Sequence, residues 1–313
     1  MAAMDASASA LPFESMEEFV AQSRLSGVIA AAATPVDEKL EPDLGRFVEL
    51  STWLLDNGCD ALNICGTTGE GTSLSAAQRT AVMEAAAKSL PTERLMIGTG
   101  AAAVDDAATL TERAAEFGLS GALLLPPFYY KDVSEDGVLR YFDKVIQATK
   151  DKPINLYLYN FPALSGVQYT PQMVRKLREA FGSRIAGLKD SSGNLEYAAE
   201  VNKIADDFDV FPSNEGILDR ARAGEFAGCI SASANVNAIY CGQAYRDGNS
   251  EALETAKSIR ALVSRKALIA SVKTVLASVF NDKTYERLLP PLTELAPEEK
   301  TALVNEYGSL SRH

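Results

Sequence analysis

Histidine is all but missing from this 313-residue chain: the one present, His313, is its last residue. That scarcity argues against a Ser-His-Asp or Cys-His nucleophilic site and against a histidine-ligated metal. Cysteine is sparse as well. Cys59, Cys65, Cys229 and Cys241 form no C-x-x-C pair and sit in apolar segments. They read as reduced core residues, so a cytoplasmic protein without disulfides is predicted. No hydrophobic run reaches membrane-spanning length. No basic residue precedes Arg24 and no apolar h-region is present, so no secretory signal is expected. Nucleotide motifs are incomplete. Gly98-Thr99-Gly100 lacks the third glycine of a dinucleotide turn, and Gly66-Thr67-Thr68-Gly69 lacks the Gly-Lys-Ser/Thr of a P-loop. The net charge of -12 argues against nucleic acid and anionic membranes as partners. A small anionic ligand remains open, because it responds to the local field of its pocket. No metal and no cofactor are expected.

What is present is a full apolar complement, 47% of residues, enough for a large core. After a small, Ala/Ser-rich stretch at 1–12 and a short helix predicted at 14–25, apolar strands alternate with amphipathic segments. Strands are predicted at 27–34, 61–66, 94–100, 121–127, 154–160, 185–189, 209–213 and 229–234. Between them, helices are predicted at 42–57, 76–90, 106–118, 135–150, 171–182, 195–206 and 216–224. Two starts carry local signals: Ser75-Ala76-Ala77-Gln78 is a capping box, and Thr170-Pro171 places a cap before proline. Short strands apolar on both faces suit parallel strands covered by helices. Eight of them at βαβ spacing predict an α/β fold, a (β/α)8 TIM barrel. A wholly helical extension follows, at 237–246, 250–265, 267–280 and 297–307, of which the first completes the barrel. The domain division is therefore an arm at 1–25, a barrel at 26–248 and a C-terminal helical segment at 249–313.

In such barrels chemistry sits at the C-terminal strand ends. Ile185-Ala186-Gly187-Leu188 runs into Lys189, with a polar turn after it. Alone, that segment reads as a solvent-facing lysine, as most lysines are. Its neighbours change the reading. Strand two ends in Gly66-Thr67-Thr68-Gly69-Glu70-Gly71, where amides and hydroxyls can converge on a carboxylate, with Glu70 supporting the turn. Strand five ends in Tyr159, beside Lys189, and its phenol can shuttle protons for an amine that attacks a carbonyl. This set fits a Schiff-base lyase acting on a 2-oxo acid.

Gly66-Thr67-Thr68-Gly69-Glu70, Tyr159-Asn160-Phe161-Pro162 and Gly187-Leu188-Lys189-Asp190 resemble the dihydrodipicolinate synthase / N-acetylneuraminate lyase family of class I pyruvate aldolases. The resemblance runs from about residue 25 into the C-terminal helices. It implies that Lys189 forms an imine with pyruvate and that Tyr159 is the acid/base. It further implies that Thr67 and Thr68, with Gly69, hold the carboxylate, Thr67 also linking Tyr159 into a proton relay. Tyr129 matches the tyrosine lent to a neighbouring subunit, and Asn160 and Pro162 shape a turn. A homotetramer or homodimer is implied by the resemblance alone. Two departures bear on the substrate. Leu164 stands where dihydrodipicolinate synthases usually carry an arginine for aspartate semialdehyde, and a neutral side chain makes no bidentate carboxylate contact. Pro162-Ala163-Leu164-Ser165-Gly166 instead looks like the sialic-acid lyase branch. That branch usually has Ser-Thr at Thr67-Thr68 and Gly-Tyr-Asp-Glu at Pro212-Ser213-Asn214-Glu215. Asn214 and Glu215 are expected to bind substrate hydroxyls. The favoured substrate is a 2-keto-3-deoxy sugar acid or a similar hydroxy-oxo acid. The alternatives are 4-hydroxy-tetrahydrodipicolinate synthesis, N-acetylneuraminate cleavage, a keto-deoxy acid dehydratase using the same imine, and a non-catalytic 2-oxo acid binding protein.

Overall fold

The computed structural model describes residues 24–311. The helix predicted at 14–25 therefore lies outside the described residues, apart from Arg24 and Leu25, which are not helical. Eight strands form one parallel sheet: β1 (Gly27–Ala31), β2 (Ala61–Ile64), β3 (Leu95–Gly98), β4 (Gly121–Leu124), β5 (Asn155–Asn160), β6 (Ile185–Asp190), β7 (Asp209–Pro212) and β8 (Gly228–Ser231). Their order, β7-β6-β5-β4-β3-β2-β1-β8, curls the sheet into a nearly closed barrel. At the seam, the Ala227 amide donates to the Val210 carbonyl at 3.2 Å. The predicted TIM barrel is thus the observed fold. Most strands are shorter than predicted, because several predicted C-terminal residues belong to the loops at the barrel mouth, whereas β5 ends at Asn160 as predicted and β6 runs one residue further, to Asp190.

Helices α1 (Leu44–Asp56), α2 (Ala76–Ser89), α3 (Val104–Glu116), α4 (Glu135–Ala148), the single turn α5 (Pro162–Ser165), α6 (Pro171–Phe181), α7 (Leu195–Val201), α8 (Leu218–Arg222) and α9 (Ala234–Gly242) wrap the barrel. Their starts follow local chemistry. Ser75 and Gln78 make the predicted reciprocal capping box of α2, and Thr170 accepts from the Met173 amide ahead of α6. Two helices fall clearly short of the prediction: α7 stops at Val201 and α8 covers only Leu218–Arg222. α9 starts earlier than predicted and ends in a π-helical turn at Gln243–Asp247. Helices α10 (Ser250–Val263), α11 (Leu268–Val279) and α12 (Pro297–Leu310) form the appended segment. They pack on the barrel's own helices: the Tyr307 hydroxyl donates to the Val236 carbonyl at 2.8 Å, and Tyr240 donates to the Ser311 carbonyl at 3.0 Å.

The apolar side chains divide into two cores. The larger lies between the sheet and its helices, and the smaller fills the barrel. Inside, Tyr157 meets Phe211 edge to face with centroids 6.0 Å apart. Glycines on both flanking strands admit the Tyr157 ring. A Cβ at Gly121 or Gly187 would stand 2.8 or 2.9 Å from ring carbons. These two rings floor the barrel beneath the functional side chains, since residues two apart on a strand share a face.

Candidate active site

Lys189 is placed by a fault in the strand ladder. Ile185 pairs with Leu156, but Gly187 pairs with Tyr157, so β6 carries one extra residue there. Ala186 faces the barrel interior, whereas Leu188, two residues on, packs in the outer core. A bulge of this kind reverses the alternation of faces. Lys189 consequently comes level with Tyr159 across the ladder, and its Nζ lies 4.3 Å from the Tyr159 ring centroid. Both are buried, at 3% and 4% exposure, although each lies one residue from the C-terminal end of its strand. Lys189 is therefore not the solvent-facing residue that its segment alone would suggest.

Three strand ends converge on the phenol. The Tyr159 and Thr67 hydroxyls are hydrogen-bonded at 3.2 Å. Burial alone would raise the Tyr159 pKa. The Lys189 charge, with hydrogen bonds from Thr67, Ser191 and Lys189, outweighs it and holds the phenol below its ordinary value. Ser191 is a partner that sequence reasoning missed, being one serine in a polar turn. Beneath this edge, Asn160 Nδ2 donates to Asp190 at 2.7 Å, and Asn160 Oδ1 accepts from the Tyr169 amide at 3.2 Å. The Ser192 hydroxyl donates to the other Asp190 oxygen at 2.9 Å. Burial raises the Asp190 carboxyl pKa, and the bonds from Asn160 and Ser192 oppose it. This buried polar clamp fixes the ends of β5 and β6, and so the spacing of Tyr159 and Lys189.

The loop after β2 is tightly folded. The Glu70 amide donates to the Thr67 carbonyl at 3.1 Å and the Gly71 amide to the Gly66 carbonyl at 3.0 Å. Among the described residues, the Thr67, Thr68 and Gly69 amides donate to no protein acceptor. Successive open amides of this kind favour an anion. Gly71 is required by contact, since a Cβ there would stand 1.9 Å from the Cys65 carbonyl oxygen. Glu70 holds a left-handed φ of 55°, unusual for a residue with a side chain. Its carboxylate pairs with Lys273 of α11 and accepts the Leu289 amide at 2.6 Å. The expectation that Glu70 supports the turn agrees with this geometry, but its anchor, Lys273, lay unrecognised in the C-terminal segment.

The remaining expected residues separate. Leu164, 61% exposed, stands on the wall of a cleft of about 360 Å³ that reaches Thr67. Tyr129 is 73% exposed and stacks edge to face on Tyr130, centroids 5.3 Å apart. This chain does not bring it to the Thr67–Tyr159 pair. Asn214 caps the turn after β7, accepting from the Gly216 amide at 2.9 Å. Glu215 is fully buried, and its carboxylate takes Arg260 at 2.8 Å, the Ser233 hydroxyl and Asn237 Nδ2. The hydroxyl-binding role expected of Glu215 thus meets a correction: its oxygens are committed to the protein's own framework. Sequence alone could not reveal this, because Arg260 comes from a helix 45 residues away.

A barrel mouth that sets a buried lysine against a hydrogen-bonded phenol, beside a loop of open amides, defines the class of lysine-dependent lyases. The chain belongs to the dihydrodipicolinate synthetase family, which matches residues 24–307, and is with that family an enzyme of the class I aldolase/lyase type. It is 30% identical over 289 residues to a DapA-like lyase of Chloroflexus aurantiacus, covering 90% of this chain and 95% of that one. The crystal structure of dihydrodipicolinate synthase from Agrobacterium tumefaciens superposes with a TM-score of 0.83 at 26% identity, over 91% of this chain and 99% of that one. YagE of Escherichia coli, a prophage protein of the same family solved in complex with pyruvate, gives 0.80 at 25% identity, over 91% and 98%. Among the described residues, no helix is long and apolar enough to cross a membrane.

Proposed function

We propose that Lys189 forms an imine with pyruvate or a pyruvate-derived 2-oxo acid and that the protein makes or breaks a carbon–carbon bond beside it. The observation that carries this reading is the buried Lys189 Nζ 4.3 Å from the ring of Tyr159, whose hydroxyl is bonded to Thr67 at 3.2 Å. The deprotonated amine attacks the ketone carbon, giving a carbinolamine. Loss of water from the carbinolamine leaves an iminium, which draws electrons from the adjacent carbon. Loss of a proton there gives the nucleophilic enamine, and retro-aldol cleavage reaches the same enamine from a longer acid. Tyr159 moves the protons, with Thr67 connecting it to the mouth. The amides of Thr67, Thr68 and Gly69 hold the carboxylate. YagE, with its bound pyruvate, supports the choice of 2-oxo acid.

The second substrate follows from the departures in sequence. A hydroxy-oxo acid, the class that includes keto-deoxy sugar acids, is favoured over aspartate semialdehyde because Leu164 offers no cation. Lys131 reaches the same turn, but its ammonium donates to the Ser165 carbonyl at 2.9 Å and to the Phe128 carbonyl. Dihydrodipicolinate synthesis is the second reading, favoured by the likeness to the Agrobacterium enzyme. The exposed Tyr129–Tyr130 pair supports a homotetramer or homodimer in which one tyrosine serves a neighbouring mouth, in a cytoplasmic enzyme.

Borohydride reduction in the presence of pyruvate tests the imine. Mass spectrometry should find the reduced adduct on the Lys189 peptide, and an unmodified Lys189 would overturn the proposal. Lys189→Ala should abolish turnover, and Tyr159→Phe should slow it by about 10²- to 10⁴-fold, the usual worth of a placed acid/base. A binding protein without catalysis would not exchange the methyl protons of pyruvate with solvent deuterium.

A further inference from the structure

We infer that the subsite for the second substrate is apolar, so that the aldehyde joined to or released from pyruvate is uncharged and carries a hydrocarbon substituent. This deepens, and rests on, the imine chemistry proposed for Lys189. The cleft of about 360 Å³ lies within the size range of small-molecule sites. It is continuous with the reaction site through Thr67, which lines it and also bonds Tyr159. Its other walls are Phe161 just after β5, Leu164 from α5, Leu268 and Ile269 from the start of α11, and Leu292 from the turn before α12. Among the described residues, no lining side chain carries a charge, and Thr67 and Thr293 supply the only hydroxyls.

Physical chemistry decides among the aldehydes. Aspartate semialdehyde would lose water from an ammonium and a carboxylate, with no charged group on these walls to replace it. A polyol aldehyde would bring several hydroxyls to walls that offer two. The carboxylate of Glu215, expected from the sequence to bind such hydroxyls, is already bonded to Arg260, Ser233 and Asn237. An alkyl or aryl substituent would cover Leu164 and Leu292, which stand 61% and 37% exposed. In the condensing direction, the enamine carbon attacks the aldehyde carbon and the aldehyde oxygen takes a proton. The water released on imine formation is balanced by the water consumed on hydrolysis. The product is a 4-hydroxy-2-oxo acid bearing the hydrocarbon group on carbon 4.

A homologous series of straight-chain aldehydes, acetaldehyde to hexanal, tests this with one carbonyl chemistry throughout. Each buried methylene should raise kcat/KM with pyruvate by roughly threefold to fourfold until the cleft is filled. Hexanal should exceed both D-glyceraldehyde and aspartate semialdehyde, and Leu164→Asp should flatten the series. A wild-type rate independent of chain length, or one led by glyceraldehyde or the semialdehyde, would overturn the inference. Borohydride trapping with pyruvate alone separates the two claims. An adduct on Lys189 with a flat aldehyde series defeats only the apolar subsite, whereas no adduct defeats the imine reading as well.

Discussion

Replacing Lys273 by methionine would seal the Glu70 carboxylate inside the protein without its cation. In the native chain the two side chains are 1% and 0% exposed. Lys273 Nζ also donates to the Arg287 carbonyl at 2.7 Å. Burial lowers the Lys273 pKa, and the charge and hydrogen bond of Glu70 work against that. Removing one member of a buried pair typically costs about 3–5 kcal/mol. Among the described residues, the Leu289 amide would remain as the one donor to the stranded oxygens. The loop has reason to yield, because the left-handed backbone of Glu70 itself costs roughly 1–2 kcal/mol. Glu70→Gln with Lys273→Met removes both charges and leaves an amide oxygen for Leu289. The double variant should recover at least about 2 kcal/mol relative to the sum of the single ones, a coupling of the size seen within one network. Urea unfolding at fixed protein concentration, with four chains compared in one cycle, reads this directly. The KM for pyruvate should rise in Lys273→Met, since the open amides lie in the same loop. Single variants within about 0.5 kcal/mol of wild type, or strictly additive effects, would refute the claim that this pair holds the loop.

Two further outcomes follow from the site. Thr67→Val removes a hydrogen bond that favours the Tyr159 phenolate, so the Tyr159 pKa should move upward from its depressed position. The ultraviolet phenolate titration of each chain, minus that of its Tyr159→Phe counterpart, isolates the group, and an unchanged or lower midpoint would contradict the relay. Gly71→Ala forces a methyl against the Cys65 carbonyl and should destabilise by about 1–3 kcal/mol with loss of pyruvate affinity. Gly308→Ala in α12, where a Cβ meets nothing within 4 Å, should instead be neutral or stabilising by up to about 1 kcal/mol. Equal effects at the two positions would show that contact is not what demands glycine at residue 71.

The barrel was legible because parallel strands covered on both sides must be apolar throughout, and eight such runs recur at βαβ spacing. Caps at Ser75 and Thr170 were legible because they depend on residues three apart. The lysine, the tyrosine and the threonine loop were legible as strand ends. What escaped were features made by distant partners or by register. The bulge in β6 leaves no mark in Ile185-Ala186-Gly187-Leu188, yet it turns Lys189 inward. Lys273 reads as one lysine in an apolar helix, and its meaning depends on Glu70. Glu215 reads as an available acid until Arg260 is placed beside it. Leu164 read only as a missing arginine, whereas the cleft shows it as one wall among several of the same character.

The link between Glu70 and Lys273 spans 203 positions in the chain. A nascent polypeptide can therefore lay down all eight strands and still hold an unfinished anion loop. Until the ribosome has delivered α11, the Glu70 acid has no cation to meet, and the mouth cannot settle into its final shape. Competence arises late in synthesis, as the last helices close over a barrel already built.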